Sequence, residues 1–432
     1  MLQSKLFTRT KKQLPKEAEF ISHKLLLKGD FIDQLTSGVF SFLTLGFLVL
    51  KRIENIIRQE IKALGAQEIL LPALQPKSLW EETGRWKTID PPLFKFCDRH
   101  QKELALGSTH EEVIFDLVRR RVFSYRDLPF ALFQIQDKFR NEMRSSGGLL
   151  RTREFVMKDL YSFHKDENDL NKYYNRVFEA YKKIYKRCGI EALPVEASGG
   201  TIGGKITHEF MVIASCGEDR ILVCEKCHAS RDHNIFAANL EIGKKYKECP
   251  KCGGKLLVKN GIEVGHIFQL GTEYSKKMKA EFIDQNGKKK LIWAGCYGIG
   301  LGRLMATVVE VNHDDLGIIW PRDAAPFDLH LVSLQPQNKK VKFAAENLYQ
   351  TLSSHQKVNF RWGDLQKENI DVLYDDRDLS PGEKLKDTDL IGVPKRIVVS
   401  ERTVEKNAVE YKERAKKESQ LIKIKDVFHL LK

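Results

Sequence analysis

Residues 139–164, FRNEMRSSGGLLRTREFVMKDLYSFH, restrict what this chain can build more than any other stretch. They are too polar for a core and too patterned for a linker. Arg140 and Glu142 stand two residues apart, so on an extended strand their side chains share a face. A glycine-containing loop at 145–148 follows, and Arg151 and Arg153 then lead into Glu154 and Phe155. A strand, a polar loop and a returning strand with arginines and an aromatic suit a nucleotide. Guanidinium forks hold phosphate oxygens bidentately, and an aromatic face can take a base. Standing alone, the same pattern is equally a solvated charged hairpin.

The rest of the chain narrows the choice. At 432 residues, a length prior gives about two to four domains. With 42% hydrophobic and 30% charged residues, the composition is that of a globular protein with ample core. The net charge of +14 favours a polyanionic partner, of which nucleic acid is the commonest. The start, MLQSKLFTRTKK, is polar and basic, and the apolar run at 40–50 is far shorter than the roughly 20 residues a membrane span needs. No membrane association and a cytoplasmic location are therefore expected. Eight cysteines are too few for a disulfide scaffold.

Apolar residues at 49, 50, 53, 56, 57, 61 and 64 predict a helix, with Gly65 as its stop and a strand at 67–71 ending at Pro72. Residues 104–113, LALGSTHEEV, read as a strand and turn presenting Thr109, Glu111 and Glu112, or simply as a helix start with its usual early glutamates. A strand at 130–142 enters the opening stretch, and a second helix is predicted over 168–185. Residues 295–309 read as a glycine-rich turn into a helix. Gly298-Ile-Gly300-Leu-Gly302-Arg303 does not open a βαβ unit with an acidic residue about 20 positions on, because the chain reaches Trp320-Pro321 instead, so it is not a dinucleotide fingerprint. Its glycines either let a nucleotide approach the backbone, with Arg303 reaching a phosphate, or serve tight packing. Beyond 320–326, strands and helices alternate as in a small α/β domain.

Residues 217–260 differ in composition and look like a small inserted module. Cys224 and Cys227 form one CxxC pair, and Cys249 and Cys252 form another. Two such pairs close a tetrahedral zinc site of the structural kind, leaving His228 and His233 as bystanders. The CxxCH at 224–228 is not read as a haem signal, because the second pair explains the first. No serine triad, glycosidase carboxylate pair or Walker-type loop stands out.

These motifs together resemble a known family. FRNE through Arg151 and Phe155 resembles motif 2 of the class II aminoacyl-tRNA synthetases, residues 298–303 resemble motif 3, and the helix and strand ending at Pro72 resemble motif 1. GSTHEEV, RTREFVMKDLYSFH, GGTIGGKITHEF, GIEVGHIFQLGTEYS and GCYGIGLGRL resemble bacterial prolyl-tRNA synthetases. The resemblance implies an α+β fold: an antiparallel-sheet catalytic core at 1–216 and 261–325, a zinc-ribbon-like insertion at 217–260, and an α/β anticodon-binding domain at 326–432. It implies a homodimer that joins L-proline to tRNA(Pro) through prolyl-adenylate, using ATP and Mg²⁺. In that family's pattern Thr109 and Glu111 hold the proline amine, with His266 nearby. Arg140 holds the α-phosphate and the substrate carboxylate. Glu142 engages the adenine side or positions Arg140, Arg151 and Arg303 hold distal phosphates, and Phe155 stacks on adenine. Gln269 and Thr272 fall in the ATP region with Gly298 and Gly300, while Asp376, Arg377 and Lys384 are candidates for reading anticodon bases or are plain surface charges.

Three departures are expected to matter. Ser108 replaces a usual proline, which predicts a less rigid turn at Thr109. Ser145-Ser146-Gly147 replaces a stretch with a positive charge and an aromatic. Only about 55 residues separate Glu209 from Gly265, too few for a typical editing domain. Cis-editing of alanyl-tRNA is therefore expected to be absent. The rival readings are a non-catalytic paralogue that binds tRNA, which would have lost Arg140, Glu111 or Arg303, and a class II synthetase for another amino acid such as threonine.

Overall fold

The computed structural model describes residues 1–11, 18–197, 202–203, 206–229, 237–354, 358–361, 364–367 and 370–427. It separates into two compact units. One comprises Gln34–Phe40 and Ile53–Val311, and the other Met1–Asp33, Ser41–Arg52 and Asn312–Lys432.

The first unit is built on a nine-stranded sheet. Its strands are β1 (Gln67–Glu68), β2 (Phe130–Phe139), β3 (Glu154–His164), β4 (Leu193–Ala197), β5 (Ile206–Ile213), β6 (Asp219–Cys224), β7 (Ala237–Asn239), β8 (Leu256–Gly271) and β9 (Trp293–Gly300). They lie in the order β5-β4-β7-β6-β8-β9-β3-β2-β1, with a further pairing of β5 to β8. All pairings are antiparallel except β1 with β2 and the single β7–β4 bridge.

The helix predicted over 49–64 is α1 (Thr44–Lys62), and the periodic positions Val49, Leu50, Ile53, Ile56, Ile57 and Ile61 are all buried. Gly65 follows at φ +85°, a conformation that costs glycine little. Arg58 donates to Glu54 at 2.5 Å and to Glu68 at 2.9 Å, tying the helix end to β1. Helix α2 (Glu111–Arg119) follows the Thr109 turn, α3 (Glu167–Arg187) follows β3, and α4 (Leu301–Val311) follows β9.

One predicted element differs. Gly298 and Gly300 lie on strand β9, not in a turn. A glycine-rich strand carries no side-chain alternation, so periodicity gave no strand signal there. The two readings of those glycines divide by residue. A Cβ at Gly295 would fall 2.2 Å from the Tyr297 hydroxyl oxygen, so packing forbids a side chain. A Cβ at Gly298 would meet only Met157, at 3.6 Å, so that position is hollow.

The cysteine module does not stand apart from the core. Strand β6 pairs with β8 over Asp219–Cys224, and β7 pairs with β6, so the module extends the central sheet. Sulfur–sulfur distances are 3.5 Å for Cys224–Cys252, 3.3 Å for Cys227–Cys252 and 3.9 Å for Cys227–Cys249. A tetrahedral ion with bonds of about 2.3 Å sets its ligands roughly 3.8 Å apart, so the set has the right size for zinc. The His228 side chain and His233 lie outside the described parts.

The second unit holds a five-stranded sheet with the order β11-β10-β12-β13-β14: β10 (Leu329–Ser333), β11 (Val372–Asp375), β12 (Lys395–Val399), β13 (Ala408–Glu413) and β14 (Gln420–Lys423). Strand β10 is parallel to both its neighbours, as the alternating strand–helix pattern predicts, with α5 (Lys339–Ser354) and α6 (Pro381–Ile391) as the helices. The first residues belong to this unit, not to the catalytic core in which the sequence reading placed 1–216. The Met1 ammonium donates to the Val372 carbonyl at 2.6 Å, and His330 Nε2 meets Gln3 Oε1 at 2.9 Å.

The anticodon candidates are engaged internally. Lys384 is fully buried and donates to the Ser333 carbonyl at 2.6 Å, so it is an internal cation and not a surface reader of bases. Arg377 is shared between Asp375 and Asp387, and Asp376 accepts from the Ser4 hydroxyl at 2.6 Å.

Candidate active site

A single row of directly opposed residues crosses five strands of the large sheet: Gln134 on β2, Asp159 on β3, Gly298 on β9, His266 on β8 and Glu209 on β5. Side chains two positions along each strand share that face. Met157 and Gly300 therefore lie to one side of the row, and Tyr161, Cys296 and Phe268 to the other. The absent side chain of Gly298 leaves a hollow at the centre. The resulting cavity, about 350 Å³, is lined by Thr109, Glu111, Arg140, Glu142, Phe155, His266, Gly298, Gly300 and Arg303, among others. Nine residues chosen from four separate motifs thus meet in one cavity.

The first group is centred on Glu111, which is wholly buried at the start of α2. Thr109 Oγ1 donates to Glu111 Oε2 at 2.6 Å, and Cys296 Sγ donates to Oε1 at 3.2 Å. Burial, then Glu111, raises the Cys296 pKa well above its ordinary value, which keeps the thiol a donor. Acidic side chains in a helix's first turn gain from its dipole, but that gain alone does not bury two of them. Glu112 is as buried as Glu111, and both receive Arg85 Nη1, at 2.9 Å and 3.3 Å. Burial opposes the Arg85 charge; Glu112, Tyr274 and Glu111 outweigh it and raise the pKa. Sequence reasoning missed Arg85, because its partners lie 26 and 27 positions further on.

The second group is cationic. The Arg140 guanidinium lies 5.2 Å from the Phe155 ring centre. Among the described residues it has no carboxylate at ion-pair distance. Burial, then the charge of Arg303, lowers its pKa. Arg303 donates from Nε to the Leu150 carbonyl at 2.7 Å and lies 3.7 Å from Glu263 Oε2. Glu142 turns to Arg151, accepting from Nε at 3.0 Å, and its own carbonyl takes Arg153 Nε at 3.1 Å.

The third group is Glu209, Glu263 and His266. His266 Nδ1 lies 3.4 Å from Glu263 and 3.8 Å from Glu209, and its ring stacks on Phe268. Burial pushes the pKa of Glu209 up, with Glu263 adding to it. For Glu263, His266 and the two arginines reverse the effect of burial and bring its pKa down. Neither glutamate was singled out from the sequence, since a lone Glu on a strand carries no local signal.

Arg151, Gln269 and Thr272 stand outside the described lining. Gln269 is buried on β8, and Thr272 precedes the helix Glu273–Met278. The two altered loops are tethered. Ser145 and Ser37 hydroxyls meet at 2.6 Å, and Ser146 donates to Glu218 at 2.9 Å. Beside Ser108, the Gly107 amide donates to the Ala73 carbonyl at 2.7 Å, and the Gly107 carbonyl accepts from Phe139 N–H at 3.0 Å. The Thr109 turn is thus pinned by backbone bonds that need no proline.

Residues 94–312 match the family model for the tRNA synthetase class II core domain (G, H, P, S and T), and residues 332–432 match an anticodon binding domain. A proline–tRNA ligase of Ehrlichia chaffeensis is 41% identical over 438 residues, covering 99% of each chain. The chain belongs to the proline–tRNA ligases. A proline–tRNA ligase of Dehalococcoides mccartyi is 34% identical, covering 99% of this chain and 98% of its own, over an aligned span of 568 residues. That span is more than a hundred residues longer than this chain. The fold is likewise that of solved family members. A Giardia lamblia prolyl-tRNA synthetase in complex with prolyl-adenylate superposes with a TM-score of 0.75 at 19% identity, over 93% of this chain and 74% of that one. A Cryptosporidium parvum prolyl-tRNA synthetase complexed with L-proline and AMP gives 0.74 at 19% identity, over 97% and 76%. Membership brings an ATP-dependent aminoacyl-tRNA ligase on a class II core. Among the described residues, no helix is long and apolar enough to cross a membrane.

Proposed function

We propose that this chain activates L-proline with ATP and passes the prolyl group to the 3′ end of tRNA(Pro) in the cavity between Glu111 and Arg303. The observation that carries the reading is Arg140: a guanidinium without a carboxylate partner among the described residues, beside a second arginine, in the same cavity as the buried Thr109–Glu111 pair. Proline brings a cationic secondary amine and a carboxylate, and ATP brings phosphates. The cavity supplies groups of opposite sign to each.

Thr109 and Glu111 take the amine, with His266 beside the ring. The proline carboxylate oxygen attacks the α-phosphorus, the bond to the β-phosphate oxygen breaks, and pyrophosphate leaves. Arg140 bridges the attacking carboxylate and the α-phosphate, offsetting charge as it develops. Arg303 and, after rearrangement from Glu142, Arg151 hold the leaving phosphates. Phe155 stacks on adenine, Glu142 either engages its edge or orients Arg140, and Gln269 and Thr272 come to the nucleotide only when it binds. Gly298 and Gly300 leave room for it. The terminal tRNA hydroxyl then attacks the prolyl carbonyl and AMP departs. Among the described residues, no lone general base stands poised in the cavity for this, so positioning and electrostatics carry both steps.

When bound, Mg²⁺ would supply charge neutralisation and orientation of the phosphates, and among the carboxylates that line the cavity Glu209 and Glu263, which stand together beside His266, would be its hard oxygen donors. Cys224, Cys227, Cys249 and Cys252 hold a structural zinc ion. Two copies pair through the sheet edge at β1, where Leu70 stands 73% exposed. Among Asp376, Arg377 and Lys384, the first two remain the candidates for anticodon contact. Cis-editing is absent, because the cysteine module fills the short interval between Glu209 and Gly265.

Purified protein is expected to charge a tRNA(Pro) transcript with proline and to leave alanyl-tRNA(Pro) intact. Hydrolysis of alanyl-tRNA by this chain at a rate well above that in buffer would remove the editing claim. Failure to charge with any amino acid would favour the non-catalytic paralogue.

A further inference from the structure

The buried carboxylates of the amine pocket outnumber the cations paired with them. Among the described residues, Glu111, Glu112 and Asp159 have two cations at ion-pair distance, Arg85 and Lys138. Lys158 is also buried but donates to the Tyr181 hydroxyl and the Tyr297 carbonyl, and Arg140, in the same cavity, has no carboxylate at that distance among the described residues. His110 lies 3.9 Å from Asp159, but burial, then Lys138, lowers its pKa to about 4, so it adds no charge near neutrality. Lys138 Nζ is committed to Asp159 Oδ1 at 2.9 Å. That leaves one guanidinium for two glutamates.

Arg85 divides unequally between them. Its Nη1 lies 2.9 Å and 3.1 Å from the two oxygens of Glu112, but 3.3 Å from a single oxygen of Glu111. Thr83 Oγ1 also donates to Glu112, at 2.7 Å. Burial, against the pull of Arg85, raises the Glu112 pKa. Two donors, Thr83 Oγ1 and Arg85 Nη1, nonetheless converge on its oxygens, and hydrogen bonds of that kind favour the ionised form. The Arg85 guanidinium is wedged 5.3 Å from the Trp80 ring centre and 5.6 Å from that of Tyr274, which keeps it from moving wholly onto either carboxylate. Glu111 lines the cavity; Glu112 and Arg85 do not.

We infer that Arg85 and Glu112 are positioning residues that set the charge of the amine pocket: Glu112 holds Arg85 back from Glu111, and the proline ammonium supplies the missing cation. The inference rests on the proposed proline activation. It gives Glu112, which touches no substrate, a say in which amino acid binds. A buried ion pair with one partner missing is costly, and the pocket stays open to a cation for that reason.

The test is proline-dependent ATP–pyrophosphate exchange with wild type, Glu112→Gln and Arg85→Met/Glu112→Gln, with tetrahydrofuran-2-carboxylate as inhibitor. That inhibitor keeps the ring and carboxylate and replaces the amine by a neutral oxygen. In Glu112→Gln, a near-isosteric change, the Arg85 charge is no longer shared with Glu112 and acts on Glu111 from where it is packed. The KM for proline is expected to rise about tenfold, with the KM for ATP and the inhibitor's affinity unchanged. The double variant removes one charge of each sign, and its proline KM is expected to return to within about threefold of wild type. A Glu112→Gln enzyme with an unchanged proline KM, or with proline and ATP KM values raised alike, would overturn the inference. So would a double variant no better than the single one. A wild-type protein without proline exchange would instead remove the reading on which the inference rests, and that failure shows before any variant is made.

Discussion

Arg140→Met is expected to lower proline-dependent exchange by about a thousandfold while leaving the fold intact. The size follows from the site. Arg140 is a cation held ready in a cavity, without a carboxylate partner among the described residues and with Arg303 near enough to lower its pKa. A donor fixed in place before charge develops is worth roughly 10²–10³ in rate, and an arginine on a transferring phosphoryl group more. Methionine keeps the contact with Phe155 and removes only the charge. Because no buried carboxylate loses its partner, thermal stability should change little. Arg140→Lys restores a point charge but not the bidentate fork, and an intermediate rate is expected. Retention of more than about a tenth of wild-type exchange by Arg140→Met, with an unchanged melting curve, would show that another group carries the α-phosphate.

The second large effect concerns the cysteines. Cys249→Ser, or prolonged chelation, is expected to remove one zinc ion per chain and to lower the melting temperature by on the order of 5–10 °C. A structural zinc site commonly contributes on the order of 10 kcal/mol of apparent binding energy, all of it as folding energy of the surrounding segment. Here that segment is not separate. Strand β8 begins beside the cysteines at Leu256, pairs with Cys224 there, and seven residues later carries Glu263 into the cavity. Loss of the metal therefore frees one end of a strand whose other end forms the cavity floor, and exchange should fall as well. Native mass spectrometry showing no zinc on the wild-type chain, with Cys249→Ser equally stable and active, would end this claim.

How much was legible beforehand varies by residue. The α1 helix was, because a buried stripe at 49, 50, 53, 56, 57 and 61 leaves its period in the sequence whatever it packs against. Thr109, Glu111, Arg140, Phe155, His266 and Arg303 could be singled out because each sits in a local motif, and the sheet together with the helices α2 and α4 brings them into one cavity. Strand β9 was not, since its glycines exist to make a hollow at 298 and to admit the Tyr297 ring at 295. Lys384 was misread, because a lysine between polar neighbours looks exposed, and only the fold buries it beside Ser333. Arg85 and Glu112 were invisible for a related reason. Their value lies in a charge balance among groups that are brought together by tertiary structure alone.

The most direct measurement is ATP–pyrophosphate exchange by the purified wild-type chain, run with proline, alanine, threonine and glycine in parallel. Strong exchange with proline, weaker exchange with alanine and none above background with threonine are the results expected of a pocket that pairs Glu111 with a secondary amine. Exchange driven by threonine in preference to proline, or none with any amino acid from folded protein with ATP and Mg²⁺, would contradict the assignment of this cavity to prolyl-adenylate formation.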